Sequence, residues 1–224
     1  MSTWIIPVFV AAALAVLPSQ EAKLSKPAGK SKAWVSTDAY PLETCPISGK
    51  ALKKAVRVEA GGRSIKVCCK KCVKKVQKDP EAAIKKLEAA VIAQQSANYP
   101  LTTCPISKRK LGSMGKPVDL VLGNHLVKLC CKGCKKKALK SASQVIAKIE
   151  TAAHAKQSKT YAPKTCPVSG RKLGAMGKPF EVMHGTTLVK LCCKGCLKKF
   201  TKTPSAFLAK LNAGKQAPKP AKGR

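Results

Sequence analysis

Acidic residues, aromatics and histidines are all scarce in this chain. Of 224 residues only 10 are Asp or Glu, against 44 Lys and Arg, and histidine occurs three times. The acids do not recur as a pair, and no Ser–His–acid or phosphate-loop pattern is present, so no constellation of residues supports an enzyme. Aromatics make up 4% of the chain. That keeps any core small and argues against recognition of single strands by base stacking. Long apolar runs are missing too. The longest, residues 4–17, is short of the ~20 residues a membrane-spanning helix needs and has the length of a signal-peptide core. A signal peptide over 1–22 is therefore expected, and with it a secreted or periplasmic protein, although no Lys or Arg precedes the run.

What the chain has in excess is lysine and cysteine. The formal net charge is +34, which favours contact with polyanions such as nucleic acid or acidic surface polymers. The lysines are spread along the chain, which equally fits a solvated coat. The twelve cysteines obey a threefold repeat. Thr44-Cys45-Pro46-Ile47-Ser48-Gly49 returns as Thr103-Cys104-Pro105-Ile106-Ser107 and as Thr165-Cys166-Pro167-Val168-Ser169-Gly170. Downstream of each lies a Cys-Cys-Lys-x-Cys cluster: Cys68, Cys69 and Cys72; Cys130, Cys131 and Cys134; Cys192, Cys193 and Cys196. Four thiols fall in each copy and none is left over. Units of this size cannot stabilise themselves by burial alone, so the cysteines are the expected staple.

The repeat divides the chain into a flexible Lys/Ser/Ala-rich linker over 23–39, cysteine modules at 40–97, 98–159 and 160–213, and a disordered basic tail at 214–224. Residues 94–98 and 156–160 read as short Gln/Ser/Lys connectors. Inside each module, period-two alternation about a Gly-containing turn predicts a β-hairpin. The runs are 56–59 and 64–67 in the first module, 118–122 and 125–129 in the second, and 180–183 and 187–191 in the third. The third cysteine of each cluster opens a helix. Asp79-Pro80-Glu81 then signals the start of a second helix in module one, and Thr203-Pro204 does so in module three. Module two lacks the proline and offers Ser141 or Ser143 as its cap. The expected fold is α+β, three small ββα modules in tandem.

Cys-Pro-x-Ser-Gly, a hairpin and a Cys-x3-Cys at a helix start, with Pro80 or Pro204 before the last helix, resemble the TRASH and YHS families of heavy-metal-binding cysteine modules. The resemblance implies a treble-clef-like fold and assigns Cys45, Cys68 and Cys72, with their counterparts in the other copies, as metal ligands. The Tyr-His-Ser signature that names the YHS family is missing, and Cys69, Cys131 and Cys193 stand where those families usually have another residue.

Thiolates suit Zn(II) or Cu(I), about one ion per module, and argue against Ca or Mg. A closed zinc site wants four protein ligands. Ser48, Ser107 and Ser169 are poor ligands at the position that often supplies the fourth, and the additional cysteine of each pair can make up the deficit. Cys72, Cys134 and Cys196 sit in a first helical turn among lysines, which is expected to lower their pKa. His125 and His184 occupy unmatched positions and are expected at the surface. An exported protein with an even cysteine count also fits disulfides, for instance Cys69 to Cys72 with Cys45 closed onto the remaining thiol. Carrier, buffer or metal-stapled module is thus the leading function. A polycation that binds polyanions is the alternative, and thiol–disulfide exchange at Cys69-x2-Cys72 is the lesser one.

Overall fold

A computed structural model gives the protein's structure and describes residues 34–216. The chain divides into two compact units, 1–32 and 33–224. The first of these, which holds the expected signal peptide, lies outside the described residues, as does most of the expected tail. Among the described residues no helix is long and apolar enough to cross a membrane.

The described unit is α+β, with six helices and three β-hairpins. Strand β1 (Trp34–Thr37) precedes module one, which follows as β2 (Val56–Ala60), β3 (Arg63–Val67), α1 (Lys70–Lys78) and α2 (Glu81–Ser96). Module two contains β4 (Val118–Leu122), β5 (His125–Leu129), α3 (Cys134–Lys140) and α4 (Ala142–Lys159). Module three contains β6 (Phe180–His184), β7 (Thr187–Leu191), α5 (Lys194–Lys202) and α6 (Pro204–Gln216). Each module is thus a hairpin followed by two helices, one more than ββα. The break between the two helices is local chemistry. In module one the Asp79 carboxylate accepts the Glu81 N–H at 3.1 Å, and Pro80 begins the next helix without needing a donor. In module two Ser141 stands at the boundary, but its hydroxyl donates back to the Lys137 carbonyl at 2.9 Å and does not cap α4.

The hairpins pair antiparallel, with Val118 opposite Leu129 and Phe180 opposite Leu191. Each inner face closes over a small core that contains the module's own cysteines: Ile65, Val67, Val76 and Leu87 in module one, Val127, Leu129, Ala138 and Ile149 in module two, and Val189, Leu191 and Phe200 in module three. A tyrosine repeats the same fastening three times. The hydroxyls of Tyr40, Tyr99 and Tyr161 accept the backbone N–H of Lys66, Lys128 and Lys190 at 2.9, 3.0 and 3.0 Å.

The modules are not beads on connectors. Helix α2 lays Val91 and Ile92 on Val121 and Leu126, the outer face of the next hairpin, and α4 lays Ala153 on Met183 and Leu188. This is why residues 94–98 and 156–160 are mostly helix and not linker. Gln95 is buried, donates to the Asn124 carbonyl at 2.7 Å and accepts the Leu126 N–H at 2.9 Å. Gln157 does the same with Thr186 and Leu188. A side-chain amide satisfies the hairpin edge as a strand would, and the helix must continue far enough to deliver it.

The end of the expected linker, 23–39, is also ordered structure. Strand β1 pairs in parallel with β6, Trp34 opposite Glu181 and Thr37 opposite His184. Its side chains reach two modules. Trp34 stacks on His154 with ring centroids 4.1 Å apart, Ser36 donates to Glu150 at 2.7 Å, and the Thr37 hydroxyl meets both the Met183 carbonyl and His184 Nδ1. The histidines expected at the surface therefore lie inside. His184 is buried, and burial pushes its imidazole down to about 4. The His125 side chain is mostly buried and sits 3.3 Å from the Glu150 carboxylate.

Candidate metal centre

The first ligand position in each module is made by a tight knuckle. In module one the Cys45 N–H donates to the Lys50 carbonyl at 2.7 Å and the Gly49 N–H returns to the Cys45 carbonyl at 2.9 Å. The same two bonds recur at Cys104 and Cys166. The knuckle turns through a left-handed residue, Gly49 (φ 73°) and Gly170 (φ 72°) in modules one and three, but Lys108 (φ 62°) in module two. A side chain there costs on the order of 1 kcal/mol, and the repeated backbone bonds hold it in place. The other two positions come from the end of the second hairpin strand and the first helical turn. The helical position is tied by its backbone to the additional cysteine beside the strand end, Cys72 N–H donating to the Cys69 carbonyl at 3.1 Å.

These elements bring three sulfurs together in every copy. Cys45, Cys68 and Cys72 lie within 4.8 Å of one another, as do Cys104, Cys130 and Cys134, and Cys166, Cys192 and Cys196. The pair one helical turn apart is closer still: 3.8 Å for Cys68 to Cys72, 3.8 Å for Cys130 to Cys134 and 3.6 Å for Cys192 to Cys196. A tetrahedron with zinc–sulfur bonds of about 2.3 Å has sulfur–sulfur edges of about 3.8 Å. All twelve cysteines are free thiols, and eight of the nine triad members are buried.

The additional cysteines stand just outside the triads. Cys69 Sγ is 3.8 Å from Cys72, Cys131 is 3.9 Å from Cys130, and Cys193 is 3.9 Å from Cys192 and 3.8 Å from Cys196. Each lies in contact with one or two triad thiols, and the sulfurs that all lie within 4.8 Å of one another number three per module. Cys69 is exposed, whereas Cys131 and Cys193 are half-buried.

The charge in each cluster is distributed differently from the sequence expectation. Burial pushes the Cys45 thiol up, but the Ser48 hydroxyl and the backbone N–H groups of Cys68, Ser48 and Ile47 more than offset it and bring it down to about 6. Cys104 reaches about 6 and Cys166 about 7 for the same reasons, with Ser107 and Ser169 as the donors. The helical cysteines, expected to be lowered, go the other way. Burial and the adjoining thiols drive Cys72, Cys134 and Cys196 up to about 12. Like charges this close exclude one another, and the knuckle position, ringed by N–H groups, takes the charge first. The outer cysteines are lowered, chiefly by the backbone N–H of the helical cysteine: Cys72 for Cys69, Cys134 for Cys131, Cys196 for Cys193.

Sequence reasoning treated Ser48, Ser107 and Ser169 only as weak ligands. Their hydroxyls sit 3.2, 3.1 and 3.3 Å from the sulfurs of Cys68, Cys130 and Cys192. They hydrogen-bond the thiol cluster and favour its ionised form. The Cys-Pro-x-Ser spacing, repeated in all three copies, was the visible signal. The histidines take no part in the cysteine groups.

No protein-family profile matches the chain, and no curated protein or solved structure matches it either.

Proposed function

We propose that this chain is a non-catalytic metal-binding protein with three thiolate centres, each taking one Zn(II) or Cu(I) ion. The observation that supports this reading is the sulfur spacing, repeated three times at a distance suited to tetrahedral thiolate ligation. Cys45, Cys68 and Cys72 hold the ion in module one, Cys104, Cys130 and Cys134 in module two, and Cys166, Cys192 and Cys196 in module three. Cys69, Cys131 and Cys193 complete or exchange the fourth position. The ion supplies positive charge that lets all three thiols ionise together, which the metal-free cluster resists. We read the knuckle, hairpin and helix-borne cysteines as a treble-clef site, which is what the resemblance to TRASH and YHS modules implies. Such a protein serves as a metal carrier or buffer, and we place it outside the cytoplasm, secreted or periplasmic.

The test is titration of the fully reduced protein with Zn(II) and with Cu(I), followed by elemental analysis after desalting. Three equivalents are expected, with protons released as each binds. Saturation well below three, or thiols that resist reduction and are found in disulfides, would refute the reading. Cell fractionation with thiol counting tests the location.

A further inference from the structure

The thiol cluster of module three opens to solvent through a mouth whose charge is unusual for a cation site. In module three this mouth is an open depression of about 470 Å³, lined by Ser169, Arg171, Cys192, Cys193, Cys196 and Lys199 with no carboxylate among its walls. Lys199 follows Cys196 by three residues on α5, so both project to one face of the helix. Arg171 follows the knuckle, and its backbone N–H is tied to the Ser169 hydroxyl at 3.4 Å. Its guanidinium rests on the Met176 sulfur at 3.5 Å, a weak contact that leaves most of its donors available. Module two repeats the arrangement, with Arg109 on Met114 at 3.2 Å and Lys137 three residues after Cys134. Both methionines are more than half exposed, so they hold the guanidinium at the rim and not in the core.

A bare cation approaching such a mouth is repelled, whereas an anion is drawn in, and a guanidinium fork matches a carboxylate in particular. Resting on the metal-binding reading above, we infer that modules two and three receive their metal from small anionic complexes whose ligands carry carboxylates. Arg109 and Arg171 hold the ligand's carboxylate, with Lys137 and Lys199 beside it. The exposed flank of Cys131 or Cys193 makes the first bond to the metal, and the triad then takes over. Each metal–ligand bond to the carrier breaks as a metal–sulfur bond forms. The cysteine protons pass to the carrier's donor atoms or to solvent, and no electron is transferred.

The experiment presents Cu(I) to the reduced full-length protein in two coloured complexes, one with bicinchoninate, which its carboxylates make anionic, and one with neocuproine, which is cationic. Loss of each colour in a stopped-flow instrument gives the transfer rate. The quantity read is the ratio of the two rates, compared between wild type and a variant with Arg109, Lys137, Arg171 and Lys199 all changed to Gln. A control variant changes Lys85, Lys148, Lys156 and Lys159, on α2 and α4, to Gln. The mouth variant should still bind three ions at equilibrium, with its rate ratio reduced at least about tenfold, while the control ratio stays within about twofold of wild type. An unchanged ratio in the mouth variant overturns the inference and leaves metal binding intact. So does an equal fall in the control, because the long-range field would then be the cause. Failure of the wild type to take copper from either complex overturns the inference, while the Zn(II) and Cu(I) titrations decide the metal-binding reading separately.

Discussion

Module one and modules two and three share the same cysteine frame but bury it to different depths. In modules two and three the outer face of the hairpin is apolar, Val121 with Leu126 and Met183 with Leu188, and a helix from the preceding module covers it. The matching positions in module one are Glu59 and Ser64, the first of them exposed. Its thiols follow suit. Cys68 is half-buried and Cys69 exposed, where Cys130 and Cys192 are buried and Cys131 and Cys193 half-buried. A polar hairpin back leaves the module one hairpin without a covering helix, so this module meets the array through α2 and through Arg63, which donates to the Val121 and Gly123 carbonyls. One motif thus supports two regimes: a more open centre that depends on its ligands, and two sheltered centres that depend partly on the array.

The sharpest way to break that comparison is to remove ligands. Cys166→Ser or Cys196→Ser should lower the metal content from three equivalents to two, and Cys45→Ser should do the same in module one, read by elemental analysis. The outer cysteines should separate the two regimes. Cys193 contacts two triad sulfurs and Cys69 contacts Cys72, so Cys193→Ser should weaken its site by about tenfold or more and Cys69→Ser by less. Equal, undiminished affinities in a chelator competition would make both of them bystanders.

His184 offers the next largest effect, confined to module three. Burial lowers its imidazole to about 4, against 6.5 for an ordinary histidine; nearby Asp38 pulls upward, and His125 and Lys66 pull downward. Between pH 6.5 and 4 the unfolded chain takes up a proton that the folded chain refuses. Stability is therefore full above about pH 6.5 and falls by up to roughly 3 kcal/mol as the pH drops to about 4. His184→Gln should flatten that part of the urea-unfolding profile relative to wild type. Parallel profiles would show that the imidazole is not the cause.

The inter-module amides come next. Gln95→Ala strands the Leu126 N–H and Gln157→Ala strands the Leu188 N–H, and each should cost about 1–3 kcal/mol in thermal or urea unfolding. A loss near zero would mean the modules are energetically independent. The smallest effect is expected at the knuckle. Lys108→Gly should stabilise by up to about 1 kcal/mol, and Gly170→Ala should destabilise by a similar amount. The space around the Gly170 position is open, so the comparison isolates backbone conformation.

Much of a single module was legible in the sequence because its determinants are local. Val118–Leu122 and His125–Leu129 follow directly from alternation about Gly123-Asn124, and Asp79-Pro80 marks the helix break. The repeat isolates twelve thiols at fixed spacing, four per module, and it was the resemblance to TRASH and YHS modules that singled out the three of each triad. What the sequence hid was every relation between modules. Gln94 and Gln95 read as linker composition, and only the edge of the next hairpin gives Gln95 a reason to be helical and buried. Trp34–Thr37 is four residues, too short a run for its pattern to declare a strand. The thiol charges were misassigned because helix position was weighed without the neighbouring sulfurs. A thiol's proton affinity depends first on the other thiols within reach.

The parallel pairing of β1 with β6 has a consequence in time. Contacts such as that between Thr37 and the Met183 carbonyl span 146 residues, while each hairpin closes across a two-residue turn. Local hairpins and helices form early in such a chain, and the longest loop closes late. On the ribosome β1 is made before any module and has no strand to pair with until the third hairpin emerges. The strand that comes first in the sequence is therefore among the last to be placed, and its docking marks the completion of the array.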